Sequence, residues 1–444
     1  MFGVMIELYI LKGDTNMKRI LFIMARILLL VLSGCTGNGP KDHVVHKDEI
    51  VIYQATDMHY LSPQLTDNCP EFIQMLKDSD GKMAHYIDPI MDAFVEDVIA
   101  RAPDAVLLTG DITYNGEKLS FLDLARKLKK IEDRGIQVLV IPGNHDIDYP
   151  LCFGYKEGTY YRTERFSREE YEQAYADFGL NEAVSRAPDS FSYIYQISDN
   201  VYIIALDCDT TLVPIVTNRT FDWLSEAIKE IPEGATVISM THENLLDHYS
   251  GIEFRNDLTI LNNTRLIDLY EENGVRLNLC GHIHTQHIWE EGNIVDIATE
   301  AMSVIHCNYG VIRITPEEIH YTTQHTDVDG WAARNGVEDE NLLNFYDYGM
   351  EFWIEGQSGR NYSGFDGAPL TEEDKKIMSN FFTEMNAYYF EGNLRDHVDE
   401  LKATEGYRVW MEKGENIWRY TYIVDRMNNV RNEPVVNDYT LKLS

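Results

Sequence analysis

Eight short runs of apolar and β-branched residues, at 50–55, 105–109, 137–141, 201–206, 236–240, 276–279, 294–298 and 311–314, constrain the fold more than any other feature of the chain. Runs of this length bounded by turn-forming residues read as buried strands. Between several of them the hydrophobic period lengthens to that of a helix. Ile87, Ile90, Met91, Phe94, Val95, Val98 and Ile99 share one face, as do Leu119, Leu122, Ala125, Leu128 and Ile131. Strand and helix alternate, so the expected class is α/β, with helices covering sheet.

Five of these runs are followed at once by polar clusters: Asp57-Met58-His59, Gly110-Asp111, Gly143-Asn144-His145-Asp146, Thr241-His242 and Gly281-His282-Ile283-His284. Ligands of α/β sheets bind beyond the carboxyl ends of the strands, so clusters spread over more than two hundred residues can meet in one crevice. Carboxylates, an amide and several imidazoles suit divalent manganese, iron or zinc. In an extended chain the side chains at i and i+2 point the same way, so Asp57 with His59, and His282 with His284, are expected to present two groups to one place. The glycines at 110, 143 and 281 allow tight turns that bring the next side chain close to an ion.

The 38 basic and 73 acidic side chains give a formal charge of −35, and no Lys/Arg block interrupts it. Binding to the backbone of double-stranded nucleic acid is therefore not expected. Small anions must instead be drawn in locally, for example by bound cations.

Residues 1–34 have the order of a secretory signal: Lys18-Arg19, an apolar run over 20–32, then Leu32-Ser33-Gly34-Cys35, which is similar to a bacterial lipobox. Met17 is the expected start, with cleavage before Cys35, lipidation of its thiol, and display on the outer face of the cytoplasmic membrane or in the periplasm. Residues 36–47 read as a polar tether. The remaining cysteines, Cys69, Cys152, Cys208, Cys280 and Cys307, are odd in number and lack CxxC spacing, so no thiolate metal site is expected. Cys208 and Cys280 end apolar runs and read as buried thiols. The catalytic part is expected over 48–325. Residues 326–340, rich in Asp, Gly and Asn, read as a linker, and 341–444 as a smaller, mostly helical domain. There Thr371-Glu372-Glu373-Asp374 reads as a capping box opening a helix with Ile377, Phe381, Phe382, Met385 and Tyr389 on one face.

The five clusters together resemble the calcineurin-like metallophosphoesterases, whose motifs run DxH, GD, GNH[DE], H and GHxH, over roughly residues 50–325. The resemblance implies a four-layer α/β/β/α sandwich with two metal ions. Asp57, His59, Asp111 and His284 would hold one ion, and Asp111, Asn144, His242 and His282 the other, with Asp111 bridging. His145 would protonate the leaving oxygen or stabilise the transition state. Two cations about 3.5–4 Å apart can acidify a shared water, orient it for in-line attack and neutralise phosphoryl charge. Many members place an Asp three residues after the bridging Asp to orient that histidine. Here Tyr114 stands there, so the partner of His145 is unassigned. Asp111-Ile112-Thr113-Tyr114 also resembles the GDxxY of purple acid phosphatases, but His59 fills the coordination slot and Tyr114 is expected not to ligate. Where some relatives carry a second His after the metal-binding one, this chain has Glu243-Asn244.

The stretch from Gly110 to Glu117 and the helical C-terminus resemble a bacterial subgroup of cyclic-nucleotide phosphodiesterases. The resemblance implies a phosphate-ester substrate, with Asn115 and Tyr149 as candidate contacts. Segments 61–84 and 147–166 are candidate cleft walls, and a base could stack on Tyr149, Tyr155, Tyr160 or Tyr161. A phosphomonoesterase of nucleotidase or acid-phosphatase type on the same centre, and a surface lipoprotein that only binds, are the alternatives.

Overall fold

In the computed structural model, which describes residues 43–209, 213–248, 258–417 and 419–443, the apolar runs become the strands of two sheets. The first has six strands in the order Asp438–Lys442, Glu318–His325, Asn308–Ile314, Ile50–Ala55, Ala105–Thr109 and Gln137–Ile141. Its last three are parallel, so the segments after 55, 109 and 141 all leave at one edge. The second has seven strands in the order His287–Glu291, Ile294–Ala298, Leu277–Cys280, Thr236–Met240, Val201–Ala205, Tyr193–Ser198 and Ser185–Arg186. Its four central strands are parallel in the same way.

Side chains from both sheets share one core. Ile52, Leu107 and Val140 of the first pack in the same cluster as Tyr195, Ile203, Met240 and Leu279 of the second. Helices Ile87–Arg101 and Lys118–Glu132 join that cluster from the outer side of the first sheet. Helices Asn218–Ala227 and Asn263–Glu272 cover the second sheet over a separate cluster containing Ile204, Phe221, Leu224 and Leu266. The layers are therefore α/β/β/α. Each such buried aliphatic or aromatic side chain contributes about 1.5–3 kcal/mol, so it is the shared core, not local propensity, that fixes the strand ends.

The structure corrects the sequence reading in several places. Leu122 is 38% exposed, and Phe121, Leu124, Leu128 and Ile131 form the inner face of their helix instead. Helix Val328–Arg334, with Val328 and Ala332 buried, occupies the segment read as a linker, and Arg334 Nε lies 2.9 Å from Glu96 Oε1. Strand Asp438–Lys442 returns to the first sheet beside Glu318–His325, although the chain beyond 325 carries no apolar run to announce it. Cys35 and most of the tether lie outside the described residues. Near the tether's end, Val45 donates its N–H to Ile197 O at 2.9 Å. Among the described residues no helix is long and apolar enough to cross a membrane.

The helical part has its own core around Phe381, Phe382, Met385 and Trp410. The capping box forms: Asp374 N–H donates to Thr371 Oγ1 at 3.1 Å, and Thr371 N–H to Asp374 Oδ2 at 3.3 Å. The helix it opens, Glu372–Glu391, ends against the sandwich. There Glu391 Oε2 is 3.3 Å from His306 Nε2, and His306 Nδ1 is 2.8 Å from Glu300 Oε1. Cys208, Cys280, Cys152 and Cys307 are buried free thiols.

Helix Lys118–Glu132 closes on a testable feature. Glu132 Oε1 accepts the Val138 N–H at 2.9 Å, and burial pushes its carboxyl up to about 7, with Glu182 adding repulsion. A carboxyl raised in the folded state stabilises the fold at low pH and loses that contribution as pH rises through its folded value. Glu132→Gln keeps the acceptor and removes the charge. Thermal melts should show the variant more stable than wild type at pH 8, by on the order of 1 kcal/mol, with the gap closing by pH 5. An equal effect at both values would contradict this.

Candidate metal centre

Three of the five polar clusters, at 57–59, 110–111 and 281–284, leave the strand ends in left-handed backbone, not extended backbone. Asp57, His59, Asp111, His282 and His284 have φ of 50°, 42°, 46°, 66° and 57°, five of the ten positive-φ non-glycine residues described. The pairing of Asp57 with His59, and of His282 with His284, thus comes from alternate left-handed residues in a loop and not from a strand pleat. Such positions cost roughly 1–3 kcal/mol each and persist only where the surroundings impose them. Packing at the glycines is one such constraint. A Cβ at Gly143 would collide with Asp111, and one at Gly281 with Thr56 and Asp57.

Two groups of donor atoms result. Asp57 Oδ1 lies 3.3 Å from His284 Nε2 and 3.7 Å from His59 Nε2. His59 Nε2 is 3.3 Å from His284 Nε2 and 3.5 Å from Asp111 Oδ2. On the other side, Asp111 Oδ1 is 3.4 Å from His242 Nε2, which is 3.1 Å from Asn144 Oδ1. His242 Nδ1 donates to the Thr109 carbonyl at 3.0 Å, so Nε2 is the nitrogen turned to the group. The His282 ring meets that of His242 edge-on at 5.2 Å, while its Nε2 lies 3.0 Å from Glu243 Oε2. The structure therefore brings Asp57, His59, Asp111, Asn144, His242 and His284 together atom to atom, and His282 joins them through its ring contact with His242.

These groups fit divalent cations. Asp57 Oδ1 is buried and accepts no hydrogen bond, although Oδ2 accepts from Thr56 Oγ1 at 2.8 Å and His282 N–H at 2.9 Å. A buried carboxylate oxygen left facing imidazole nitrogens is costly unless something positive meets it. Although burial pushes both carboxyls up, His284 draws Asp57 below its ordinary range, and His242 with His145 draws Asp111 well below it. Burial and the Lys82 ammonium hold His59 well below its usual value, so it is neutral and able to ligate.

His145 sits at the edge of this arrangement. Its N–H donates to Asp111 Oδ1 at 2.8 Å, its ring stands edge-on to His59 at 5.1 Å, and Nδ1 is 2.9 Å from Asn115 Oδ1. An amide oxygen only accepts, so the proton on that side belongs to Nδ1 and leaves Nε2 free for proton transfer. Tyr149 stacks on the ring at 4.4 Å. Asn115 and Tyr149, expected as substrate contacts, thus hold His145 in place, and Asn115 is the orienting partner that the sequence left unassigned. Tyr114 is buried with its ring 6.0 Å from Tyr155, and Tyr160 and Tyr161 face solvent.

Three further residues escaped the sequence reading. Asp146 clasps two motif loops: Oδ2 accepts from Gly143 N–H at 2.8 Å and Ile112 N–H at 3.1 Å, and Oδ1 from Thr113 N–H at 2.8 Å and Thr113 Oγ1 at 2.6 Å. Lys82, 6% exposed, pairs with Asp80 Oδ2 at 2.9 Å, and its charge depresses His59 and His145. Glu243 faces His282, with burial and Asp209 pushing its carboxyl up to about 9. Asp146 carried a signal in its place in the GNH[DE] motif and Glu243 in standing where some relatives have a second His, whereas Lys82 lies in an aperiodic segment.

Against known proteins, residues 50–286 match the calcineurin-like phosphoesterase family, and residues 327–429 match the C-terminal domain of cyclic nucleotide phosphodiesterase. The chain belongs to the calcineurin-like phosphoesterase family and is a metal-dependent phosphoric ester hydrolase. Its curated relatives include a 3′,5′-cyclic-nucleotide phosphodiesterase of Nostoc sp., 24% identical over 249 residues, or 55% of this chain and 75% of that one. Similar solved structures include a dimetal phosphatase from Danio rerio (TM-score 0.44, 10% identity, 62% of this chain and 96% of that one). A purple acid phosphatase from yellow lupin has a TM-score of 0.42 at 12% identity, covering 63% of this chain and 52% of that one.

Asp146→Ala should strip four donors of their acceptor at once. We expect a loss of about 3 kcal/mol or more in chemical denaturation, together with weaker metal retention after dialysis. A loss below about 1 kcal/mol would contradict the clasp.

Proposed function

We propose that the protein hydrolyses phosphodiesters, nucleoside 3′,5′-cyclic phosphates among them, at a dinuclear metal centre. The observation that carries this reading is the division of Asp111, one oxygen toward His59 and the other toward His242. Asp57, His59, Asp111 and His284 would hold one ion, and Asp111, Asn144, His242 and His282 the other. Bound divalent cations, whether manganese, iron or zinc, supply Lewis-acid activation of water and neutralise phosphoryl charge.

The chain's own groups do the rest. As the imidazolium, with Nδ1–H donated to Asn115 Oδ1, His145 gives its Nε2 proton to the departing alkoxide and is left neutral. Burial lowers its affinity for that proton, which favours release once the leaving oxygen develops charge. Tyr149 fixes the plane of the ring. The Lys82 ammonium, held by Asp80, adds positive charge beside His59 and His145, where a phosphate ester brings negative charge. The match of residues 327–429 to a cyclic-nucleotide phosphodiesterase domain, and the Nostoc relative, support a diester over a monoester.

We place this activity outside the cytoplasmic membrane, on a chain anchored through Cys35. Replacing Cys35 with Ser should release the activity into the soluble fraction, and activity that stays with the membrane would contradict the anchor.

Turnover of bis(p-nitrophenyl) phosphate and p-nitrophenyl phosphate by metal-analysed protein tests the reaction. Monoester preference by orders of magnitude would overturn the diesterase reading. His145→Gln should lower kcat by about 10²–10⁴ with metal content unchanged. Asn115→Ala should lower it by about tenfold, because Nδ1 then lacks its acceptor. Full activity in His145→Gln would contradict the assigned role.

A further inference from the structure

We propose that the cavity between the loop at 282–284 and the C-terminal helices binds the nucleoside portion of the diester, so that residues of the helical part set the substrate preference. This rests on the phosphodiesterase reading of the metal centre and goes beyond it by assigning recognition to named residues.

The cavity measures about 440 Å³, within the range of about 300–1,000 Å³ that small-molecule sites occupy. Its floor includes His282 and His284, members of the candidate metal groups, so a substituent esterified to a phosphate held there has this space beside it. The opposite wall comes from helices Phe345–Tyr362 and Glu372–Glu391. That wall is polar. Arg360, Arg419, Asn361 and Asn386 line it, and Asp80, its carboxylate, is already paired with Lys82. In a chain of charge −35, a wall of guanidinium and amide groups beside a phosphoryl site is the exception.

The amides have capacity to spare. Asn361 Nδ2 donates to Thr383 Oγ1 at 2.9 Å, which leaves Oδ1 as an acceptor. Asn386 Oδ1 accepts from the Tyr422 hydroxyl at 3.4 Å, which leaves Nδ2 as a donor. Thr383 and Asn386 share one face of helix Glu372–Glu391, and Asn361 of the neighbouring helix is bonded to Thr383, so an acceptor and a donor both line the cavity. A donor and an acceptor presented together complement the edge of a nucleobase, which pairs both kinds of group in one plane. One turn further, Phe390 also lines the cavity, its ring set at 66° to Trp353 and 5.5 Å away, and offers an apolar surface to a heterocycle. A simple alkyl ester offers nothing to Asn361 Oδ1 and Asn386 Nδ2, whereas a nucleoside can engage both.

The test uses the full chain loaded with manganese and compares kcat/KM for 3′,5′-cyclic AMP with kcat/KM for bis(p-nitrophenyl) phosphate. Asn386→Ala and Asn361→Ala should each lower the ratio of the two at least tenfold, chiefly through KM for the nucleotide. The near-isosteric Asn386→Asp, which removes the donor without opening space, should do the same and covers the case in which an alanine variant misfolds. A ratio within twofold of wild type in all three overturns the inference and leaves the diesterase reading standing. So does wild-type protein that hydrolyses bis(p-nitrophenyl) phosphate and no cyclic nucleotide. Wild-type protein inactive on both diesters overturns both readings.

Discussion

A carboxylate enclosed by protein must be met by positive charge or must give up its own, because the cost of removing it from water exceeds what packing returns. Asp111 is such a group. It is buried at the end of the second parallel strand of the first sheet, its two oxygens turned to His59 on one side and His242 on the other. The remaining features of the site are ways of keeping it there: the Asp146 clasp, the His145 N–H bond to Oδ1, and the small residue at 143 that lets one loop lie against the next. Facing carboxylates, an amide and imidazoles form a donor set that suits divalent cations, in keeping with the phosphoesterase family to which the chain belongs.

The sandwich places this chemistry by bringing the carboxyl ends of parallel strands in two sheets to one edge. Neither sheet alone suffices. Asp57, Asp111 and Asn144 come from the first sheet, and His242, His282 and His284 from the second. The strained left-handed residues at these ends are held by a core shared between the sheets, so folding stability and site geometry are the same problem. The helical part adds a wall to the cleft and is tied to the sandwich through Glu391 with His306 and through the returning strand Asp438–Lys442.

Much of this was legible in the sequence, for a physical reason. Strand ends in α/β folds are where side chains are free of packing duties, so acids and imidazoles directly after apolar runs announce a site before any coordinate exists. What was not legible depends on contacts distant in sequence. The i, i+2 pairs suggested extended backbone, but left-handed turns produce the same convergence. Asn115 was expected as a substrate contact, and its bond to His145, thirty residues on, could not be read from the local sequence. Glu243 looked like a missing histidine and is instead the neighbour of His282. Lys82 gave no signal at all, since a single lysine in an irregular segment is ordinarily solvent-exposed. Leu122 shows that a 3.6-residue period fixes a face only to within one position when two adjacent faces are apolar.

Whether Asp111 lies between two cations can be read from anomalous diffraction by crystals of manganese-loaded protein. Two peaks are expected about 3.5–4 Å apart, one on the side of His59 and His284 and one on the side of His242, with the Asp111 carboxylate between them. A single peak, or two peaks that Asp111 does not touch, would contradict this arrangement.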